Sequence, residues 1–105
     1  MSDTDSLMLP ELSDLLKNKY VIISKANCPY CVKAADFMKE SGFKYVKLSI
    51  TDYSEADNFD EFYDEMIGLT GAKTFPIIFI DGKYIGGYTE LVAKYRNHVA
   101  LTDDF

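Results

Sequence analysis

Two spacings of apolar residues alternate along this chain. Runs of strand length appear at Tyr20-Val21-Ile22-Ile23, at Phe43 to Ile50 and at Ile77-Ile78-Phe79-Ile80. Between them the apolar positions recur every three or four residues, the period of one helix face. Cys31, Ala34, Ala35 and Met38 form such a stripe, as do Phe59, Phe62, Tyr63, Met66 and Ile67, and later Leu91, Val92 and Tyr95. The pattern predicts a first helix over Leu9 to Lys17, with Pro10 near its start and Leu12, Leu15 and Leu16 on one face. A strand over Tyr20 to Ser24 follows, too apolar for an edge and therefore central. A second helix runs from Pro29 to Ser41 and ends at Gly42; Phe43 to Ile50 is the second strand. A strand–helix–strand unit of this length implies parallel pairing with a right-handed crossover.

The next segment changes in charge. Residues 51–66 carry seven of the seventeen acidic residues and no lysine or arginine. The aromatic stripe through the segment makes it an amphipathic helix with an acidic, solvated face, rather than a dedicated docking surface for a basic partner. Gly68, Thr70 and Gly71 end it. Ile77 to Ile80 and Lys83 to Ile85 flank Asp81-Gly82, a strong hairpin signal. Gly86-Gly87 breaks the last strand, and Thr89 is the expected cap of a final helix. Lys94, Arg96 and His98 complement that helix's C-terminal dipole, which makes His98 a helix-end residue and not a catalyst. Leu101 to Phe105 reads as a frayed tail. The predicted order is α-β-α-β-α-β-β-α.

At 105 residues the chain is expected to be one domain over 1–105, with a core over about residues 9–98 and flexible ends at 1–8 and 99–105. A net charge of −6 argues against nucleic-acid and membrane-surface binding, which call for basic patches. No apolar run approaches a membrane span. The opening Met1-Ser2-Asp3-Thr4-Asp5-Ser6 is acidic and unlike a secretory leader. A reducing, cytoplasmic setting is the expectation.

Both cysteines lie in Cys28-Pro29-Tyr30-Cys31, between the first strand and the second helix. Two thiols with two residues between them can close a small disulfide ring and reopen it. Pro29 falls at the first helical position, where its fixed φ fits and no N–H is lost. The first-turn N–H groups and the positive end of the helix dipole then favour a thiolate at Cys28. Lys25 adds a positive charge nearby. A thiol so placed can fall from about 8.5 to roughly 3.5–7.5 in pKa. Cys28, at the helix mouth, is the attacking thiol; Cys31, one turn in, resolves. A structural zinc site needs four ligands, and with one histidine the chain cannot complete one alone. A permanent disulfide would close too small a loop to stabilise much.

The resemblance goes further. CPYC after Ser24-Lys25, then Lys73-Thr74-Phe75-Pro76, then Ile85-Gly86-Gly87-Tyr88-Thr89-Glu90-Leu91 resembles a dithiol glutaredoxin, with the three motifs in the family's order. The resemblance implies an α/β thioredoxin fold: a four-stranded mixed sheet, βαβ then ββα, flanked by helices, with an extra N-terminal helix. It implies a cis bond before Pro76, with the Phe75 backbone free to pair with glutathione. Lys25 and Lys73 would meet the glycyl carboxylate, and the backbone N–H groups of Tyr88 and Thr89 the γ-glutamyl carboxylate. Gly86 and Gly87 would allow close approach, Tyr30 would pack beside the tripeptide, and Thr74, Phe75, Pro76 and Gly87 complete the expected contacts. Thr89 stands where many members carry Asp or Ser, and Phe75 where valine is commoner. Glutathione would be the reductant, with no metal or prosthetic group. The expected partners are disulfide-containing or glutathionylated proteins, ribonucleotide reductase among the candidates, and a monomer is expected. Two alternatives differ in class. One is a redoxin dedicated to ribonucleotide reductase and recharged by thioredoxin reductase. The other is a dimer bridging a two-iron, two-sulfur cluster.

Overall fold

The structure, a computed structural model, describes the backbone of residues 7–103 and the side chains of residues 7–96. Its elements are α1 (Leu12–Leu15), β1 (Tyr20–Ser24), α2 (Pro29–Glu40), β2 (Tyr45–Ser49), a 3-10 turn (Ile50–Tyr53), α3 (Phe59–Thr70), β3 (Ile77–Ile80), β4 (Lys83–Gly86) and α4 (Tyr88–Asp103). The sheet order is β2-β1-β3-β4. β1 pairs parallel with β2 and antiparallel with β3, and β4 closes an antiparallel hairpin on β3. This is the thioredoxin-type arrangement expected from the motifs.

The central place of β1 follows from its composition. Side chains alternate across a strand, so a strand covered on both faces must be apolar at every position. Val21 and Ile23 face one layer, with Ile77, Phe79, Leu12, Leu15, Phe62 and Met66. Ile22 faces the other, with Ile78, Ile80, Ala34, Ala35, Met38 and Leu91. The β3–β4 turn has φ of 55° at Asp81 and 79° at Gly82, the two positive values of the hairpin turn that Asp-Gly favours. All seven acidic residues of 51–66 are exposed, opposite the buried Phe62 and Met66.

Three expectations need correction. The first helix is one turn, Leu12–Leu15, rather than Leu9 to Lys17. The Asn58 amide accepts from the Leu9 N–H and donates to the Leu9 carbonyl, both at 2.9 Å, which holds Leu9 outside any helix. Thr89 does not cap α4: the helix begins at Tyr88, and Glu90 reaches back to the Gly87 N–H at 2.8 Å. A glutamate three residues past the cap does this whenever the cap's own N–H is free. α4 runs as far as Asp103, and neither glycine nor proline follows Tyr88 to stop it sooner. His98 therefore precedes the last turn, which holds no basic residue, and its side chain lies outside the described residues. Residues 104 and 105 also lie outside them.

An aromatic cluster ties β1 and the segment after α2 to α4. Phe43 stacks on Tyr20 at 4.5 Å and meets Tyr95 at 4.9 Å. Burial, then the neighbouring Tyr20 hydroxyl, pushes the Tyr95 phenol up to about 12. A phenol raised above its unfolded value of about 10 contributes stability below that value and loses it as pH rises through the folded value. Denaturant unfolding at stepped pH should show stability falling between about pH 10 and 12, and Tyr95→Phe should flatten that limb. An unchanged limb in the variant would place the alkaline loss elsewhere.

Candidate active site

The chain leaves β1, turns at Asn27 in a left-handed conformation (φ 57°) and enters α2 at Cys28. Asparagine tolerates that region better than most side chains. The Ala26 N–H donates to Thr51 Oγ1 at 2.9 Å, which pins the loop to the 3-10 turn. Cys28 is the N-cap of α2 and Pro29 the first helical residue. Cys28 and Cys31 are joined as a disulfide, with Cα atoms 5.2 Å apart. Cys31 is 2% exposed, whereas Cys28 is half-buried.

The electrostatics centre on Cys28 Sγ. It accepts the Cys31 N–H at 3.2 Å, the bond an N-cap side chain makes. After reduction the same N–H and helix dipole would face a thiolate. The Phe75–Pro76 bond is cis, and the Phe75 carbonyl oxygen lies 3.8 Å from Cys28 Sγ. With the sulfur in a disulfide there is no S–H, so this is proximity and not a hydrogen bond. Lys25 Nζ lies over the Phe75 ring, 5.6 Å from its centre, which brings a cation to the same junction.

Two clefts flank this point. The first, about 540 Å³, is bounded by Tyr30, by Thr74, Phe75 and Pro76, by Tyr84, and by Gly86 to Glu90. Tyr30 and Tyr88 form its end wall, their rings 5.9 Å apart. The Tyr88 and Thr89 N–H groups belong to the first turn of α4 and have no acceptor within the helix. Gly86 is required here by its backbone conformation, and Gly87 leaves little room for a side chain. A Cβ at Gly87 would stand 3.3 Å from the Pro76 carbonyl oxygen, and one at Gly86, where φ is 121°, 2.6 Å from Glu90 Cγ. The second cleft, about 690 Å³, lies against Cys28 and is bounded by Ser24, Lys25, Asn27, Val32, Lys47, Ser49 and Asp52 among others.

Seven residues expected at the glutathione site line the first cleft together: Tyr30, Thr74, Phe75, Pro76, Gly87, Tyr88 and Thr89. Lys25 borders the second cleft instead, and Lys73 is exposed and borders neither. Tyr84 and Glu90 are members that sequence reading missed. Glu90 falls three residues after Gly87, so spacing could have found it, whereas a register shift in the β3–β4 pairing separates Tyr84 from Gly86 and hides it from simple alternation. Among the described residues, no group of three or more His, Cys, Asp or Glu could hold a metal ion.

The glutaredoxin family model matches residues 20–85. Glutaredoxin-1 of Bos taurus is 37% identical over 90 residues, which cover 86% of this chain and 85% of the relative. Glutaredoxin-1 of Ectromelia virus (strain Moscow) is 37% identical over 89 residues, 85% of this chain and 82% of the relative. Among solved structures, a buckwheat glutaredoxin–glutathione complex matches with TM-score 0.70 and 28% identity, over 81% of this chain and 76% of that one. The dithiolic glutaredoxin of Trypanosoma brucei brucei matches with TM-score 0.73 and 27% identity, over 86% and 91%. With most of its length matched and a redox-capable cysteine pair at the mouth of α2, the chain belongs to the glutaredoxin family and is a thiol–disulfide oxidoreductase.

Proposed function

We propose that the protein uses glutathione to reduce protein–glutathione mixed disulfides and protein disulfides. The observation that carries this reading is the first cleft, which joins the Phe75–Pro76 backbone and the α4 N-terminus to the surroundings of the helix-capped Cys28 sulfur. The fit is chemical. An extended tripeptide pairs with a free backbone segment such as Phe75. A carboxylate suits the Tyr88 and Thr89 N–H groups, because a helix N-terminus is an anion site. Glu90 is the one carboxylate that borders the same cleft, and so the group there to meet a γ-glutamyl ammonium. Lys25, over the Phe75 ring, serves the glycyl carboxylate. The buckwheat relative bound to glutathione adds support.

In the one-thiol route the Cys28 thiolate attacks the glutathionyl sulfur of the mixed disulfide. The bond to the target sulfur breaks, and the target leaves as a thiolate that takes a proton. A second glutathione thiolate then attacks the glutathionyl sulfur on Cys28, which releases glutathione disulfide and restores the Cys28 thiolate. In the two-thiol route Cys28 bonds a target sulfur, Cys31 displaces the target, and glutathione reduces the resulting Cys28–Cys31 disulfide. Enzymes that close a disulfide each turnover, ribonucleotide reductase among them, suit this second route. The protein works as a cytoplasmic monomer on this reading, since one chain holds every group the chemistry needs.

Turnover of a glutathione mixed disulfide should be sustained by glutathione with glutathione reductase, and not by thioredoxin reductase. The reverse coupling would overturn the reading. Thr89→Asp provides a finer test, since it adds a charge for the ammonium where the helix dipole also favours it. An exposed contact of about 1 kcal/mol corresponds to a fall of about fivefold in KM for glutathione. A rise in KM would mean the γ-glutamyl end lies elsewhere.

A further inference from the structure

On the reading above Lys25 is the one residue of the second cleft that serves glutathione, and it is free for another carboxylate when Cys28 holds a protein target instead; Cys28 opens directly onto this cleft. Its rim carries two lysines, Lys25 and Lys47, against one carboxylate, Asp52. The cleft is thus locally cationic on a chain whose net charge is −6. Lys47 is exposed on β2, which is an edge strand, so nothing within the sheet covers it. Val32, next to the buried Cys31, is 53% exposed and supplies the apolar part of the wall. An exposed valine that shares a cleft with a nucleophilic sulfur and two lysines is a surface suited to a partner.

We propose that this cleft reads the target protein: it receives an acidic residue lying within about three positions of the target cysteine, at about 3.3 Å per extended residue. When Cys28 holds a target in a mixed disulfide, the target backbone must cross the site. Glutathione's cleft lies on one side of that crossing, and the Lys25–Lys47 rim lies on the other. A carboxylate on the target would meet Lys47 and Lys25, and an aliphatic neighbour would cover Val32. Asp52 moderates the preference, because its carboxylate offsets part of the attraction of the two lysines for an acidic flank. The occupant is defined by charge complementarity, which governs encounter and partner choice more than final affinity. This inference rests on Cys28 being the attacking thiol, but not on glutathione being the reductant.

The test uses the full chain in its reduced form and two short peptides that differ only in flanking Asp or Lys residues, each capped at its cysteine by thionitrobenzoate. The Cys28 thiolate attacks the peptide sulfur, a Cys28–peptide disulfide forms, and thionitrobenzoate departs with the electron pair as a coloured thiolate. No glutathione is needed, so failure of the glutathione reading leaves this measurement intact. At low salt the acidic peptide should react about threefold to fivefold faster than the basic one, with the ratio shrinking as salt is added. Lys47→Glu should erase or invert the ratio, and Asp52→Asn should widen it. Neither change should alter the rate with a reference that is uncharged at neutral pH, the mixed disulfide of 4-thiopyridine and mercaptoethanol. An acidic-to-basic ratio that is the same in the parent protein, Lys47→Glu and Asp52→Asn, with the reference rate intact, would overturn the proposal. So would a parent protein that prefers the basic peptide.

Discussion

Cys28→Ser is expected to reduce every thiol-transfer activity to the uncatalysed background, in both the one-thiol and the two-thiol assay. The reason is local. Cys28 Sγ accepts the Cys31 N–H at the cap of α2, while Cys31 is 2% exposed and closed off from large substrates. A serine hydroxyl can take over the cap, since serine is among the preferred N-cap residues. The variant should therefore keep its helix content and its denaturant midpoint to within about 1 kcal/mol of stability. Loss of activity with retained fold would then report the missing nucleophile alone. A parallel check is the pH dependence of iodoacetamide alkylation in the reduced parent. One thiol should titrate well below about 8.5, and peptide mapping should place the label on Cys28. Appreciable turnover by Cys28→Ser would overturn the assignment of roles.

Cys31→Ser should split the two routes, and the effect on one of them is nearly total. Deglutathionylation needs only Cys28 and an incoming glutathione, so it should survive and can rise, because the competing Cys28–Cys31 disulfide no longer forms. Reduction of protein disulfides needs the second sulfur to displace the target. The variant should accumulate a covalent complex with its target, visible on a non-reducing gel and dissolved by added thiol. The buried site has consequences of its own, because a hydroxyl there needs a hydrogen-bond partner that sulfur did not require. A loss of about 1–3 kcal/mol in stability is the expected accompaniment, measured by denaturant unfolding under reducing conditions. Loss of both activities in a folded variant would mean that Cys31 does more than resolve. The protein would then be a dithiol-only redoxin, recharged by something other than glutathione.

The chemistry was legible in the sequence because its parts are local. The reactive pair, its cap position and Pro29 lie within four consecutive residues, so the order strand, CPYC, helix already implied a sulfur at a helix N-terminus. The same holds for the Asp81-Gly82 turn, whose two positive φ angles are a property of those residue types. One error fell where a distant residue intervened, and another where two neighbouring residues competed for one role. Leu9 is kept out of α1 by Asn58, forty-nine positions away, and no periodicity in the first helix could reveal that. Thr89 looked like a cap because threonine favours that role, but the cap lies two residues earlier and Glu90 supplies its partner.

The membership of the site divides in the same way. Apolar periodicity alone placed β1 at the centre of the sheet, because only a strand covered on both faces is apolar at every position. Which residues share a cleft is a different kind of fact, set by how the α2 mouth, the Phe75–Pro76 segment and the start of α4 meet in space. Tyr84 and Glu90 join the first cleft through that meeting, and Lys25 faces the second through it. Lys47, on the far strand of a parallel pair, borders the same cleft as Cys28 because β2 lies against β1 in register, with Ile22 opposite it. Helical and strand periods and tight turns depend on neighbours in the chain, so the sequence determined them. The pairing of side chains from different elements depends on sheet order and crossover, so only the tertiary structure could decide it.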